Sequence, residues 1–115
     1  MTQERKDLLL KDLCARLPYG VKGEKYTIRM DGEFVPLIDV EIITAEDIIT
    51  LNGCPGYTIN PYLFPLSSMT EEQLKEYMTI PPGYQTIDWF NKNHFDYRCL
   101  IEKSLALDAT GLNIY

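Results

Sequence analysis

The sequence predicts an α+β fold: an N-terminal helix, a small, strongly curved antiparallel sheet of about four strands, and three short C-terminal helices. Two observations predict it. Apolar residues recur at helical spacing near the N-terminus, alternate from Lys25 onward, and return to helical spacing after Thr70. The change falls on Pro61-Tyr62-Leu63-Phe64-Pro65-Leu66-Ser67-Ser68-Met69, where two prolines fix φ, remove backbone donors and hold Tyr62, Leu63 and Phe64 extended. Apolar side chains at 62, 63, 64 and 66 make this a strap across the core rather than a solvated linker. The 115 residues are therefore expected to form one domain, with helix plus sheet over 1–60, the strap over 61–69 and a helical part over 70–115.

Taken in order, Thr2 caps a helix in which Leu9, Leu10, Leu13, Cys14 and Leu17 form the inward stripe, with Glu4, Lys11, Asp12 and Arg16 on the other side. Pro18 and Gly20 end it. Tyr26, Ile28 and Met30 then alternate with Lys25, Thr27 and Arg29, and Phe34, Ile38, Val40 and Ile42 with Glu33, Asp39 and Glu41, which reads as two half-buried strands. A two-residue turn would put Phe34 on the wrong face. A three-residue loop, Met30-Asp31-Gly32 with Gly32 left-handed, sets Arg29 opposite Glu33 and Ile28 opposite Phe34. Pro36 cannot donate to a ladder and must lie at an edge or a bulge.

Residues 44–53 are two-sided: Thr44 and Asp47 suit a helix cap, whereas Ile48, Ile49 and Thr50 prefer a strand, and strand is the expectation taken. Tyr57 to Asn60 form the last strand before the strap. Thr70-Glu71-Glu72-Gln73 is a capping box for a helix to about Met78, with Leu74, Tyr77 and Met78 inward. Thr86 caps a second helix carrying Ile87, Trp89 and Phe90 that ends near His94, and Asp96 caps a third with Leu100, Ile101, Ser104 and Leu105 on one stripe.

The formal net charge of −6 removes the counterion-release term that drives binding to a phosphate backbone, so direct nucleic-acid binding is not expected. Between Arg29 and Lys75 there is no Lys or Arg, while eight Asp and Glu residues fall in that gap. Either these acids sit on ordinary solvated faces or they form a docking face for a basic protein partner. Glu33, Asp39 and Glu41 are the candidate row on one strand face, with Asp39 and Glu41 about 7 Å apart and Glu33 further along it. Cys14, Cys54 and Cys99 show no disulfide framework, no signal-peptide pattern opens the chain and no apolar run has membrane-helix length, which together predict a cytoplasmic protein with no membrane partner. No cofactor or metal motif is present.

The densest polar cluster is Asn91, Asn93, His94, Asp96 and Arg98. His94 alone would titrate near neutral pH. Cys99 falls at the third position of the helix capped by Asp96, where the helix dipole would lower its pKa, so His94 and Cys99 are the candidate nucleophile pair. The structural alternative is that Asp96 is a cap and that Trp89, Phe90, Phe95 and Tyr97 pin a helix corner. The eight tyrosines suit either an interface or a core rim.

Asp12-Leu13-Cys14-Ala15-Arg16-Leu17-Pro18-Tyr19-Gly20-Val21-Lys22, the stretch from Pro61 to Gln73, and Asp88-Trp89-Phe90-Asn91-Lys92-Asn93-His94-Phe95-Asp96-Tyr97-Arg98 resemble a group of small uncharacterised proteins of gut bacteria and their prophages. The resemblance covers both ends and the strap, and residues 23–60 diverge. It implies a setting, a mobile element or prophage, and no activity. Members of that group carry glycine at the position of Cys99. The functional expectation is a non-catalytic, acidic protein–protein interaction module. The alternative is a small enzyme with its site around His94, Asp96 and Cys99. An exposed apolar patch would mark the first, and a closed pocket gathering His94 with a carboxylate or Cys99 the second.

Overall fold

The computed structural model describes residues 2–28, 32–54 and 56–115, with the backbone alone described at 28 and 34–39. The fold is α+β, four helices on a four-stranded mixed sheet. Helix α1 (Gln3–Arg16) starts at Thr2, whose hydroxyl accepts from the Arg5 N–H at 3.2 Å. It ends in a 3-10 turn over Leu17–Tyr19, closed by Gly20 in the left-handed region at φ 68°.

Strands β1 (Lys22–Ile28) and β2 (Phe34–Ile42) pair antiparallel with Ile28 opposite Phe34, the register the three-residue loop demands. Gly32 has φ 89°. Met30, Asp31 and the expected pairing of Arg29 with Glu33 lie outside the described residues. Sheet order is β2-β1-β3-β4, so Pro36 is on an edge strand, and the register also slips beside it, from Tyr26 opposite Pro36 to Lys25 opposite Ile38. A second slip follows between Lys25 and Gly23. Two extra residues on β2 break strict alternation, so Val40 and Ile42, expected inward, are exposed.

Residues 44–53 correct the strand expectation: Ala45–Gly53 is helix α2. The capping box decides it. The Thr44 hydroxyl accepts from the Asp47 N–H, the Asp47 carboxylate accepts from the Thr44 N–H at 2.8 Å, and Ile48 and Leu51 then reach the core at a spacing of three. Local strand propensity loses to these hydrogen bonds and to burial.

Strand β3 (Tyr57–Leu63) runs antiparallel to β1 and, over its last two residues, parallel to β4 (Leu107–Asp108). The fourth strand thus comes from the C-terminal part, and the sheet is mixed rather than antiparallel. Pro61 stands where β3 passes from one partner to the other, a place for a residue without an N–H. Beyond it the strap is bolted to the C-terminal part by backbone: Phe64 N–H donates to His94 O and Asp96 N–H to Phe64 O, both at 2.8 Å, and Ala109 N–H to Leu63 O at 2.9 Å.

The inward face of β1 is also a correction. Val21, Gly23 and Lys25 turn toward the core, and Tyr26 lies on the other face. Gly23 is needed there, since a Cβ would come within 2.7 Å of Ile43 Cδ1 and 2.8 Å of Asn60 O. The core gathers Leu9 and Leu13, Val21, Ile43, Ile48 and Leu51, Ile59 and Leu63, and Leu100, Leu105 and Ala106, drawing on both ends of the chain.

Helix α3 (Glu71–Met78) opens with the capping box of Thr70 and Gln73. Leu74 and Met78, expected inward, face solvent, Met78 at 75% exposure. Helix α4 (Tyr84–Lys92) starts at Gly83, φ 130°, so Thr86 is inside the helix rather than its cap, and its hydroxyl donates to Pro81 O. No third helix follows. Asp96 does accept from backbone, but from Leu100 and Ile101 at 2.8 and 2.9 Å, too far along to start a helix, and the left-handed residues Cys99 and Ser104, both φ 59°, keep 97–104 in successive turns. Left-handed backbone at Cys99 is the conformation in which glycine is unstrained.

Candidate functional site

Helix α1 supplies a buried charged hub that its sequence pattern was expected to leave in solvent. Asp12 and Arg16 are both 0% exposed and paired at 2.8 Å. The second Asp12 oxygen takes Arg98 at 2.8 Å, and Arg16 Nη2 donates to Phe95 O at 2.6 Å. Both guanidinium groups lie over the Tyr97 ring, at 5.4 and 4.6 Å from its centroid. The clue in the sequence is the run Leu9, Asp12, Leu13, Arg16 at spacings of three and four, which shifts the buried stripe toward the two charges and leaves Cys14 outside.

His94 lies beside this hub, buried, in the left-handed region at φ 61°, its ring stacked on Tyr115 at 3.7 Å. Tyr115 is anchored by its hydroxyl, which accepts from Lys22 N–H at 2.7 Å and donates to Tyr62 O at 2.8 Å. Burial, then the charges of Arg16 and Lys22, push the imidazole down to about 4, so it is neutral at neutral pH. Nδ1 of His94 has no partner among the described residues. Burial likewise pushes the Tyr115 phenol up to about 12.

The candidate catalytic set is not assembled. Both Asp96 oxygens are taken by the N–H groups of Leu100 and Ile101, Cys99 faces solvent outside any helix, and the His94 face is covered by Tyr115. No group of three His, Cys, Asp or Glu among the described residues is placed to hold a metal ion. Of the acidic row, Glu33 is exposed, the Asp39 side chain lies outside what is described, and Glu41 stands 3.8 Å from the buried Lys25 ammonium. Lys25 also pairs with Asp47 at 2.9 Å. Burial alone would raise the Asp47 carboxyl, but the hydrogen bonds from Lys25 and Thr44 outweigh it and hold the carboxyl below its ordinary value. Glu41 and Asp47 in turn reinforce burial in pushing the Tyr57 phenol up to about 12.

The tyrosines do not share a face. Tyr62 is buried with its hydroxyl on Glu24, Tyr19 reaches Asp88, Tyr77 stacks on Phe90 at 5.4 Å, and Tyr84 alone is strongly exposed, at 80%.

Two concavities stand out among the described residues. An apolar groove of about 290 Å³ lies between the strap and the α3–α4 pair, lined by Leu66, Met69, Leu74, Tyr77 and Phe90. Met78, Tyr84 and Ile87, on the same two helices, are exposed. A larger cleft of about 680 Å³ is lined by Thr2, Arg5, Tyr26, Thr58, Asn60, Ser104 and Leu105. Neither contains His94, Asp96 or Cys99. Helical periodicity could not reveal the groove, because it assigns Leu74 and Met78 to a core. Compared with protein-family models, curated proteins and solved structures, the chain matches none. No helix among the described residues is long and apolar enough to cross a membrane.

Proposed function

We propose that this protein is a non-catalytic, acidic protein–protein interaction module of the kind a mobile element or prophage encodes, and that the groove between strap and α3–α4 receives an amphipathic, basic segment of its partner. The exposed apolar groove carries the reading. Leu66, Leu74, Met78, Tyr84 and Ile87 are each more than 40% exposed, an amount of apolar surface on one lobe that favours a partner over water. Helix α3 also carries Glu71, Glu72 and Glu76 against the single Lys75, and a chain of net charge −6 draws cationic partners to such a face. The groove supplies contact; the acidic stretch, Glu33 and Asp39 included, supplies steering. Glu41 contributes less because Lys25, 3.8 Å away, offsets part of its charge.

The enzyme reading around His94, Asp96 and Cys99 has less support, since Asp96 is taken by backbone donors, His94 is buried against Tyr115 and Cys99 faces solvent. The test is affinity capture from the native host with mass spectrometry, repeated with the Leu74→Ser, Met78→Ser double variant. The expected result is a protein whose contact segment is apolar and rich in Lys or Arg, lost with the double variant and slowed in association by salt. Capture that survives the double variant would sink the groove as the docking element. Reversing Glu33 and Asp39 to lysine should lower the association rate more than it raises dissociation.

A further inference from the structure

The 680 Å³ cleft has a different chemistry from the groove and sits well within the roughly 300–1,000 Å³ of small-molecule sites. Its origin is topological. Strand β4 covers only Tyr62 and Leu63 of β3, so beside Thr58 and Asn60 the sheet is left without a fourth strand, and the start of α1 and the turn at Ser104-Leu105 wall off the space. Tyr26 and Thr58 are direct cross-strand partners, and Asn60 is the next residue on the same face of β3. The side chains of Tyr26, Thr58, Asn60 and Ser104 make no hydrogen bond to any described residue. Four polar groups therefore line one cleft with their capacity unspent, beside a Tyr ring and a buried Leu105.

The charge of the lining is as selective as its polarity. Among the described residues that line it, Arg5 is the only charged side chain and none is a carboxylate, in a protein with six more acidic than basic residues. The guanidinium donates from Nη2 to Lys103 O, which leaves its other N–H groups for a ligand. A fixed fork of donors suits a phosphate or carboxylate, and neutral hydroxyl and amide groups around it suit ligand hydroxyls.

We infer that this cleft binds a small polyhydroxylated molecule bearing one anionic group, the anion on Arg5 and the hydroxyls on Tyr26, Thr58, Asn60 and Ser104. The inference does not depend on the groove. The described lining offers hydrogen-bonding groups and one cation, the chemistry of recognition, so the occupant is proposed as a bound ligand.

The test is titration of the isotopically labelled protein, followed by amide shifts, with glucose 6-phosphate, glucuronate and glucose as separate probes. The phosphate and carboxylate arms decide which anion is preferred. The expected result is saturable shifts confined to residues 2–5, 26, 58–60 and 103–105 with at least one anionic probe, and binding of glucose weaker by about tenfold or more. Arg5→Gln should bring the anionic probe down to the level of glucose, and Asn60→Ala should weaken binding while leaving the spectrum of the free protein otherwise unchanged. No saturable shift with either anionic probe overturns the inference, as does anionic binding that Arg5→Gln leaves intact.

Discussion

The hub around Arg16 and the α3–α4 lobe invert the usual partition in opposite directions. At the hub, charges are buried: Asp12 and Arg16 have no exposure, and hydrogen bonds to Arg98 and Phe95 O join α1 to a segment about eighty residues later. In the lobe, apolar side chains are exposed: Leu74, Met78, Tyr84 and Ile87 stand in solvent, while Tyr77, Trp89 and Phe90 hold the two helices together. Trp89 stacks on Phe95, 5.6 Å away, so the two regions adjoin. The difference separates residues that specify the fold from residues that it leaves available. Buried charge pairs gain little over an apolar substitute but are severe when broken, which makes them suited to enforcing one arrangement. Exposed apolar residues contribute little to the isolated fold, so their presence asks for another explanation.

Four measurements break or sharpen that contrast. Asp12→Ala should have the largest effect, about 3–5 kcal/mol by chemical denaturation, because it strands a fully buried guanidinium. The Asp12→Leu, Arg16→Met double variant should recover a large part of that loss, and failure to recover would mean that the hub contributes net stability. Leu63→Ala, in the fully buried end of β3, should cost about 2–5 kcal/mol and lower one melting transition of the whole chain. Two transitions with one moved would show that strap and sheet do not unite the parts. Phe64 is the milder site, since it is only half-buried.

The third concerns pH. The folded His94 titrates near 4 and an unfolded one near 6.5, so between those values the unfolded chain takes a proton that the folded chain refuses. Stability is therefore lost as pH falls from 6.5 to 4, by about 3 kcal/mol at most. His94→Gln should flatten the wild-type slope across that window, and an unchanged slope would refute the burial account. Asp47 acts lower: its carboxyl is depressed, so its contribution persists until pH falls through its folded pKa. The smallest expected stability change is that of Leu74→Ser with Met78→Ser, within about 0.5 kcal/mol, as for exposed positions generally. A loss of several kcal/mol would show that this surface belongs to the core.

Much of the candidate surface was hidden from the sequence for one reason. The helical spacing of Leu74, Tyr77 and Met78 signals an apolar face but not what covers it, and here the protein itself covers only Tyr77 in part. Lys25 shows the converse. An alternating strand with lysine on one face and Tyr26 and Ile28 on the other reads as solvent against core. For Lys25 and Tyr26 the observed order is opposite because Asp47, on a helix the strand propensity of Ile48 and Ile49 disguised, supplies a counter-ion under the sheet. His94 and Asp96 were visible as a polar cluster, and Asp96 does accept backbone donors, but the turns at Cys99 and Ser104 replace the expected helix.

What the sequence by itself determined are features settled within a few residues: the caps at Thr2 and Thr70, the stop at Pro18 and Gly20, the register of Ile28 on Phe34, the extended strap, and the placing of Pro36 at an edge and a slip. Each rests on a hydrogen bond or a steric rule spanning at most a turn. Which face of each element is inside was decided by tertiary structure, because it depends on partners far along the chain. Asp12 is buried because Arg98 comes to it, Lys25 because α2 folds beneath it, and Pro61 is tolerated inside the sheet because β4 pairs only from Tyr62 onward. Burying a charge is favourable only where its counter-ion is also delivered, and that delivery belongs to the assembled fold.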